Sequence, residues 1–213
     1  MNMKKLIALI AASFMTLSIN AATLNYTNYT SGYTDFTRDI PIPQFNPALG
    51  VLRGVIVQVQ IIESRSIGFE NQSSASQSFA ATVRNEIRFG ISNTTVFGIP
   101  NTVDNTYISS FPARKYLGAY DGTVDYAGTS GYRRDLVTTN SFELMVTNAL
   151  PFSGYSVLPI RASVIGTSSG IFNGGSFSWF AADFVEIRVF ISYTFDPCLL
   201  TSVSQERRLK RLA

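Results

Sequence analysis

Two aspartates in a glycine-rich stretch are the first residues of this chain that suggest chemistry. Asp121 and Asp125 stand in the segment 120–131, close to the hydroxyls of Thr129 and Ser130. Carboxylate and hydroxyl oxygens suit Ca²⁺, which extracellular modules often hold weakly. The spacing lacks the third-position Asp and the closing Glu of an EF-hand loop, and Asp-Gly is a strong turn signal without any metal. A weak Ca²⁺ site and a structural turn are the two alternatives, and the spacing favours the turn.

Aromatic side chains offer a second kind of chemistry, which is contact with a glycan or another surface. Tyr26, Tyr29 and Tyr33 stand among Thr, Asn and Ser, and Trp179 is the single tryptophan of the chain. Aromatic rings supply a large contact area at low entropic cost. The plainer alternative is that the tyrosines lie on a first strand that leans on the core, and that Trp179 lies on a strand approaching the core. We carry all four as candidate glycan-binding or adhesion residues beside that alternative.

Acid–base catalysis has few candidates, because the chain contains no histidine. This absence removes the commonest general base, the usual zinc ligand and the Ser-His-Asp arrangement. A pair of carboxylates could hydrolyse a glycoside, but the candidate glutamates lie on different predicted strands or at their ends. These are Glu63, Glu70, Glu86, Glu143 and Glu186. We predict no catalytic residue and no cofactor other than the possible Ca²⁺, with a histidine-free glycoside hydrolase as the third-ranked function.

The charge of the body argues against nucleic-acid binding. The 213-residue chain has a formal net charge of +3, but its basic residues concentrate at the two ends. Between residues 23 and 197 there are eleven basic and thirteen acidic side chains. Binding to nucleic acid would need a basic face with interleaved aromatic rings. The nearly neutral body predicts no such partner. The polar, aromatic-bearing strands instead favour self-association or an extracellular polysaccharide as partner.

The elements that must position these residues are strands. Segment 55–61 alternates, with Val55, Val57, Val59 and Ile61 on one face, and segment 184–195 alternates in the same way. Period-two alternation predicts half-buried strands. Further strands are predicted at 83–91, 142–147 and 160–165. Turn-rich stretches separate them, at 46–47, 71–76, 98–105, 121–122 and 166–175. Such a pattern predicts an all-β, single-domain antiparallel β-sandwich of immunoglobulin-like or jelly-roll-like type.

The first 21 residues predict export. A basic start at Lys4 and Lys5, an apolar run at 6–17 and small residues up to Ala21 form a secretory signal peptide. The run is shorter than the roughly 20 residues that a membrane-spanning helix needs. We therefore predict cleavage after Ala21, a domain at 22–197 and a flexible basic tail at 198–213. A free thiol at Cys198 could pair between chains or serve as a small apolar residue.

Four stretches in a fixed order carry a family resemblance. The first, 43–52, contains Phe45-Asn46-Pro47 and Leu49-Gly50-x-Leu52, and the second, 69–74, begins Phe-Glu-Asn. The third and fourth are the glycine-rich segment 120–131 and the segment 152–197, which closes on Tyr193-Thr-Phe195-Asp-Pro197. Together they resemble the choice-of-anchor E domain of bacterial exported proteins over residues 23–197.

This resemblance implies a secreted or surface-attached β domain, of a class for which no activity is established. Relatives commonly end in a Pro-Glu-Pro motif, an apolar membrane segment and a basic tail. Here residues 198–213 contain no Pro-Glu-Pro, no apolar run and no Leu-Pro-x-Thr-Gly. We therefore expect a mature chain without a transmembrane anchor, released from the cell rather than tethered, with the periplasm as the alternative location.

The function expected from the sequence is that of a non-enzymatic secreted protein. It would contribute to an extracellular matrix, such as that of a biofilm, or to the cell surface as a structural or adhesive component. The second expectation is a carbohydrate-binding module that recognises a polysaccharide.

Overall fold

The computed structural model describes residues 21–91, 107–144, 146 and 148–198, and gives only the backbone of 107–112. The predicted signal segment up to residue 20, the predicted turns at 98–105 and the tail beyond Cys198 lie outside the described residues. The strands are β1 (Ala22–Tyr33), β2 (Phe36–Pro43), β3 (Gly50–Asn71), β4 (Gln77–Ile91), β5 (Tyr107–Leu117), β6 (Gly131–Leu144), β7 (Val157–Phe172) and β8 (Phe177–Pro197). Short 3₁₀ helices occupy Pro47–Leu49 and Leu150–Phe152. In this described part, no helix is long and apolar enough to cross a membrane.

The strands form two four-stranded antiparallel sheets, which confirms the predicted β-sandwich. Sheet A has the order β1-β8-β3-β6, and sheet B has the order β2-β7-β4-β5. The two longest strands, β3 and β8, pair with each other from Gly50↔Pro197 to Asn71↔Phe177. They form the centre of sheet A. β1 begins at Ala22, which is the residue after the predicted cleavage point.

Alternation along these central strands builds the core between the sheets. Val57, Val59 and Ile61 of β3 are fully buried, as predicted. The predicted inward positions of β8 from Val185 to Tyr193 are also buried, whereas Val55 and Phe195 are only partly buried at the margin of the core. Strands with period-two patterns place one face in the core because successive side chains point to opposite faces of the sheet.

Two predicted boundaries are wrong. The stretch 166–175 was predicted as a turn, but β7 continues through it to Phe172 and pairs with β4 from Phe79↔Phe172 onwards. β6 was predicted at 142–147, but it begins at Gly131 and ends at Leu144. In both cases a neighbouring strand supplies the backbone hydrogen bonds, and in β7 this brings Gly and Ser residues of low β-propensity into the sheet.

Candidate functional site

Both sheets lose their outer strand at the same end of the sandwich. β1 pairs with β8 only as far as Tyr33↔Phe184, and β2 pairs with β7 only from Phe36↔Val164. Beyond these points, the outer edges of β7 and β8 have no strand neighbour among the described residues. We call the segments 167–172 of β7 and 177–182 of β8 the open end.

The chain crosses between the sheets directly below the open end. The backbone N–H of Thr34 donates to the carbonyl of Asp183 at 3.1 Å, and the N–H of Gly166 donates to the Asp35 carboxylate at 2.5 Å. A Cβ at Gly166 would lie 2.6 Å from the hydroxyl oxygen of Thr34, so only glycine fits this close approach. The two bonds use the carbonyl of Asp183 on β8 and the N–H of Gly166 on β7. The unpaired edges of both strands therefore begin at the same height in the sandwich, just beyond the crossing.

The top of the open end is a tight link between the sheets. The rings of Phe172 and Phe177, at the ends of β7 and β8, have centroids 4.9 Å apart. Gly174 and Gly175 turn the chain between them with φ of 92° and 80°, a backbone conformation that glycine adopts without steric cost. The two edges therefore run side by side from the Thr34–Asp35 crossing to this link.

The open end lacks the residues that normally protect a sheet edge. Segments 167–172 (Thr-Ser-Ser-Gly-Ile-Phe) and 177–182 (Phe-Ser-Trp-Phe-Ala-Ala) contain neither a charged residue nor proline. The other outer strands contain several such residues: Arg38, Asp39, Pro41 and Pro43 in β2, Pro112, Arg114 and Lys115 in β5, and Arg133, Arg134, Asp135 and Glu143 in β6. Charged residues and proline on edge strands discourage pairing with another chain.

β1 has no charged residue either, but β2 packs beside it at the corner between the two sheets. The side-chain amide of Asn28 donates to the carbonyl of Pro41 at 2.7 Å, and the guanidinium of Arg38 donates to the carbonyl of Ser31. These bonds occupy one backbone carbonyl of each strand where β1 and β2 meet. The open end, by contrast, has no described strand on the outer side of either segment.

Trp179 lies at the open end with its ring over the core. It stacks flat on Phe69, with centroids 6.1 Å apart and an interplanar angle of 5°, yet 38% of the residue remains exposed. The inward positions of β7 at this level, by alternation, are Ser168 and Gly170. Both are exposed and too small to cover the indole. This confirms neither expected role of Trp179, but it places the ring where an added strand or ligand would contact it.

A layer of buried polar residues separates the core into two parts just below the open end. On β3, Glu63 and Arg65 lie between Ile61 of the larger apolar cluster and Ile67 of the smaller one. Asn85 of β4 and Asp183 of β8 complete the layer, and all four polar residues are at most 6% exposed. The sequence pattern did not reveal this layer, because charged residues at inward positions resemble breaks in the alternation.

Hydrogen bonds connect the buried polar layer internally. The side-chain amide of Asn85 donates to Glu63 Oε1 at 2.8 Å and to Asp183 Oδ2 at 2.6 Å. Arg65 Nε donates to Asp183 Oδ2 at 3.0 Å, and Arg65 also pairs with Glu63. The second oxygen of Asp183, Oδ1, has no partner among the described residues. Within this layer, two carboxylates face one guanidinium.

Burial raises the pKa of Asp183 to about 6, against the opposing pull of Arg65 and Asn85. The nearby charge of Glu63 raises it further. Protonation of Asp183 would leave the layer with one carboxylate and one guanidinium. Asp183 is therefore the residue of this layer whose charge changes near pH 6. Once it is protonated, the charges of Glu63 and Arg65 balance each other.

The candidate Ca²⁺ ligands form local turns. Asp121 accepts a hydrogen bond from the N–H of Thr123 at 3.1 Å, and Asp125 accepts one from the N–H of Ala127 at 2.9 Å. The bond from Thr123 is the largest factor that lowers the pKa of Asp121. Among the described residues, no group of three or more His, Cys, Asp or Glu side chains is arranged to hold a metal ion.

Glu70 ties the loop that contains these aspartates to sheet A, a role that the sequence did not indicate. Its side chain is fully buried and accepts the N–H of Tyr126 at 2.8 Å, while its Oε1 has no partner in the described part. The hydroxyl of Tyr126 bonds to that of Ser178 at 3.0 Å, and its ring meets Phe180 edge-on. Tyr126 has φ of 58°, which is rare for a residue other than glycine.

The three candidate tyrosines do not form one surface. Tyr26 points inward and packs edge-on against Tyr193, with ring centroids 6.0 Å apart. Tyr29 and Tyr33 lie on the outer face of sheet A and are 62% and 69% exposed. Tyr33 packs against Phe184 at 5.4 Å. Only Tyr29 and Tyr33 are therefore available for adhesion, on the face that Phe184 and Phe190 of β8 also share.

A shallow groove crosses this outer face of sheet A. It has a volume of about 430 Å³ and is lined by the side chains or backbone of Gln58, Val59, Gln60, Ser141, Phe142, Glu143 and Phe190. Amide, hydroxyl and carboxylate groups beside an aromatic ring can bind hydroxyl-rich ligands, since the polar groups hydrogen-bond while the ring supplies apolar contact. The predicted glycan residues contribute nothing to its lining.

Comparisons with known proteins identify no family. No protein-family model matches the chain, and no curated protein sequence matches it. Among solved structures, the structure of infectious bursal disease virus Gx strain is 10% identical, covers 84% of this chain and 37% of its own, and has a TM-score of 0.16. The structure of the Gt strain of that virus is 10% identical, covers 85% and 42%, and scores 0.18. This chain thus spans about two fifths of those chains. Similarity at these scores carries no argument about function.

Proposed function

We propose that this protein is an exported, non-enzymatic structural or adhesive component of the extracellular matrix or cell surface, and that it associates with another protein chain through the open end. The observation that carries the proposal is the pair of unprotected edges, 167–172 and 177–182. Unpaired N–H and C=O groups on an edge without charge or proline are a template for a further strand. Backbone hydrogen bonds would supply the affinity of such an association.

The buried position of the inner carboxylates supports a role without catalysis. Glu63 and Asp183, which share the Asn85 amide, are 0% and 6% exposed, and Glu70 is fully buried. Glu86 and Glu186 pair with Arg88 and Arg188 of the same strand. A glycoside hydrolase needs two carboxyl groups that reach a sugar from opposite sides. These contacts give the five carboxylates structural partners, while Glu143, the remaining candidate, lines the groove on sheet A.

Fractionation of producing cells tests the proposal. The variant Ile171→Lys puts a charge on the open end at a residue that is 71% exposed, so the fold should tolerate it. We expect the natural chain in the extracellular matrix fraction and Ile171→Lys in the cleared medium. The matched control is Val137→Lys, a 66% exposed position on β6, which should stay in the matrix. Retention of Ile171→Lys in the matrix, or recovery of the natural chain mainly with membranes, would contradict the proposal.

Polysaccharide binding is the second candidate, and the groove on sheet A favours it. The test compares Phe190→Ala and Trp179→Ala on immobilised polysaccharides. Loss of retention in Phe190→Ala alone would assign binding to the groove, whereas loss in Trp179→Ala alone would assign it to the open end. If neither the natural chain nor any variant is retained on a broad panel, this candidate is excluded.

A further inference from the structure

We infer that the partner at the open end is a second copy of this chain, and that one two-fold axis pairs β8 with β8 and β7 with β7. Each four-stranded sheet then continues into an eight-stranded sheet across the pair. The inference rests on the proposed function, since it names the partner of the same surface. It goes further because it commits to a closed dimer and to both edges at once.

The chain's own remaining segments start far from this surface. Ala22, at the start of β1, pairs with Phe195, and the backbone N–H of Cys198 donates to the carbonyl of Leu49. Segment 92–106 leaves from Ile91, which pairs with Ile160. All of these points lie at the end of the sandwich opposite the open end. A chain that leaves at any of these points would have to run back along the length of the sandwich to reach the open end, which favours a strand from another molecule.

The two edges are aligned so that one symmetry axis can serve both. They start together at the Thr34–Asp35 crossing and finish together at the Phe172–Phe177 contact. Each spans six residues, or roughly 20 Å of strand. An axis normal to the sheets through the midpoint of one edge therefore passes close to the midpoint of the other. A two-fold interface of this kind is self-complementary by construction.

The alternation of side chains restricts the register of this pair. A two-fold axis normal to the sheets keeps inward residues of one copy opposite inward residues of the other, because it preserves the direction of each face. One residue of β8 must then face its own copy across the axis. The midpoint of 177–182 lies between Trp179 and Phe180, so one of these two occupies that position. The partly exposed indole of Trp179 becomes covered in either register.

The absence of charge on both edges makes this self-pairing permissible. In a two-fold pair a charged residue on the axis faces the same charge of the other copy, which is destabilising. Segments 167–172 and 177–182 bring no such pair together. The same symmetry centred on Arg134 of β6 would set this arginine against its own copy.

Sedimentation and amide exchange on the purified chain from residue 22 test the inference. We expect a concentration-dependent dimer at micromolar concentration, with protection of both 167–172 and 177–182 in hydrogen–deuterium exchange. Ile171→Lys on β7 and Ala181→Lys on β8 should each raise the dissociation constant by at least about tenfold, and Val137→Lys should not. Ala181 is an exposed inward position, where a lysine can extend to solvent.

The remaining outcomes separate this inference from the proposed function. Open-ended oligomers, or a dimer that protects only one edge, would overturn the two-fold pairing and leave association through the open end standing. A chain that stays monomeric when pure, while Ile171→Lys is still lost from the matrix fraction, would make the partner a different protein. If Ile171→Lys changes neither the oligomeric state nor the matrix fraction, both proposals fail.

Discussion

Arg65 and Asp183 form an ion pair of 3.0 Å inside the sandwich, on adjacent strands of sheet A and between two separate apolar clusters. Both side chains are at most 4% exposed. With Glu63 present as well, the pair carries one negative charge in excess.

The free energy of unfolding should fall as the pH rises from about 4 to about 6. The pKa of Asp183 is about 6 in the folded chain, whereas an aspartate in an unfolded chain has its ordinary pKa of 3.8. Between these two values the folded state binds more protons than the unfolded state. A shift of this size corresponds to about 3 kcal/mol, which is present at low pH and lost at neutral pH. Asp183→Asn should flatten the profile in urea unfolding measured from pH 4 to pH 7.

The control for that experiment is Asp39→Asn, which removes an exposed carboxylate paired with Arg161. The hydrogen bond from Arg161 lowers the pKa of Asp39, so its linkage has the opposite sign to that of Asp183. Asp39→Asn should therefore keep the fall in stability between pH 4 and pH 6. A natural chain whose stability is level across this window would refute the assignment.

Arg65→Met should destabilise the fold by about 3–5 kcal/mol at pH 7, because it leaves two carboxylates buried without a counter-charge. Adding Glu63→Gln and Asp183→Asn to this variant should recover a large part of the loss, since no buried charge then remains. Thermal unfolding of the single and triple variants measures both effects. A triple variant that is less stable than Arg65→Met alone would show that the charges themselves are needed.

Trp179 should report on the open end through its fluorescence, because it is the single tryptophan of the chain. Dimerisation covers the exposed 38% of this residue, so its emission should shift to shorter wavelength as protein concentration rises. Ile171→Lys should abolish the concentration dependence and Val137→Lys should preserve it. An emission maximum that is independent of concentration, in a sample that sedimentation shows to dimerise, would place the interface elsewhere.

The loop that contains Asp121 and Asp125 should be stabilised by its backbone hydrogen bonds. Asp125→Ala removes the acceptor for the N–H of Ala127 and should cost about 1 kcal/mol. Asp125→Asn retains an acceptor oxygen and should cost less. A chelator should leave the melting temperature unchanged, as measured by calorimetry. A chelator that lowers the melting temperature, with recovery on addition of Ca²⁺, would support a Ca²⁺ site in this loop instead.

Much of the fold could be predicted from the sequence, because the period of a strand is a local property. The alternation at Val57, Val59 and Ile61 places these side chains on one face whatever strand lies beside them. The same pattern in 184–195 identified β8 and its core face. Both strands are central in sheet A, where burial of one full face makes the pattern strongest.

The candidate site could not be predicted, since its features depend on which strands end beside which. Segment 166–172 reads as a turn, and only pairing with β4 makes it a strand with a free outer edge. Glu63, Arg65, Asn85 and Asp183 come from three strands, and no local pattern shows that they meet. Tyr26 and Tyr29 look alike in sequence, but the burial of one face of β1 assigns them opposite roles.

Composition and strand period predicted a β-sandwich with a nearly neutral body and no histidine chemistry, because both are local properties of the sequence. The place where the sandwich stays open follows from the tertiary structure. The crossing at Thr34–Asp35 ends β1 and begins β2 at one level, so β7 and β8 extend past both outer neighbours. That level is set by long-range strand register, which depends on the packing of the whole core.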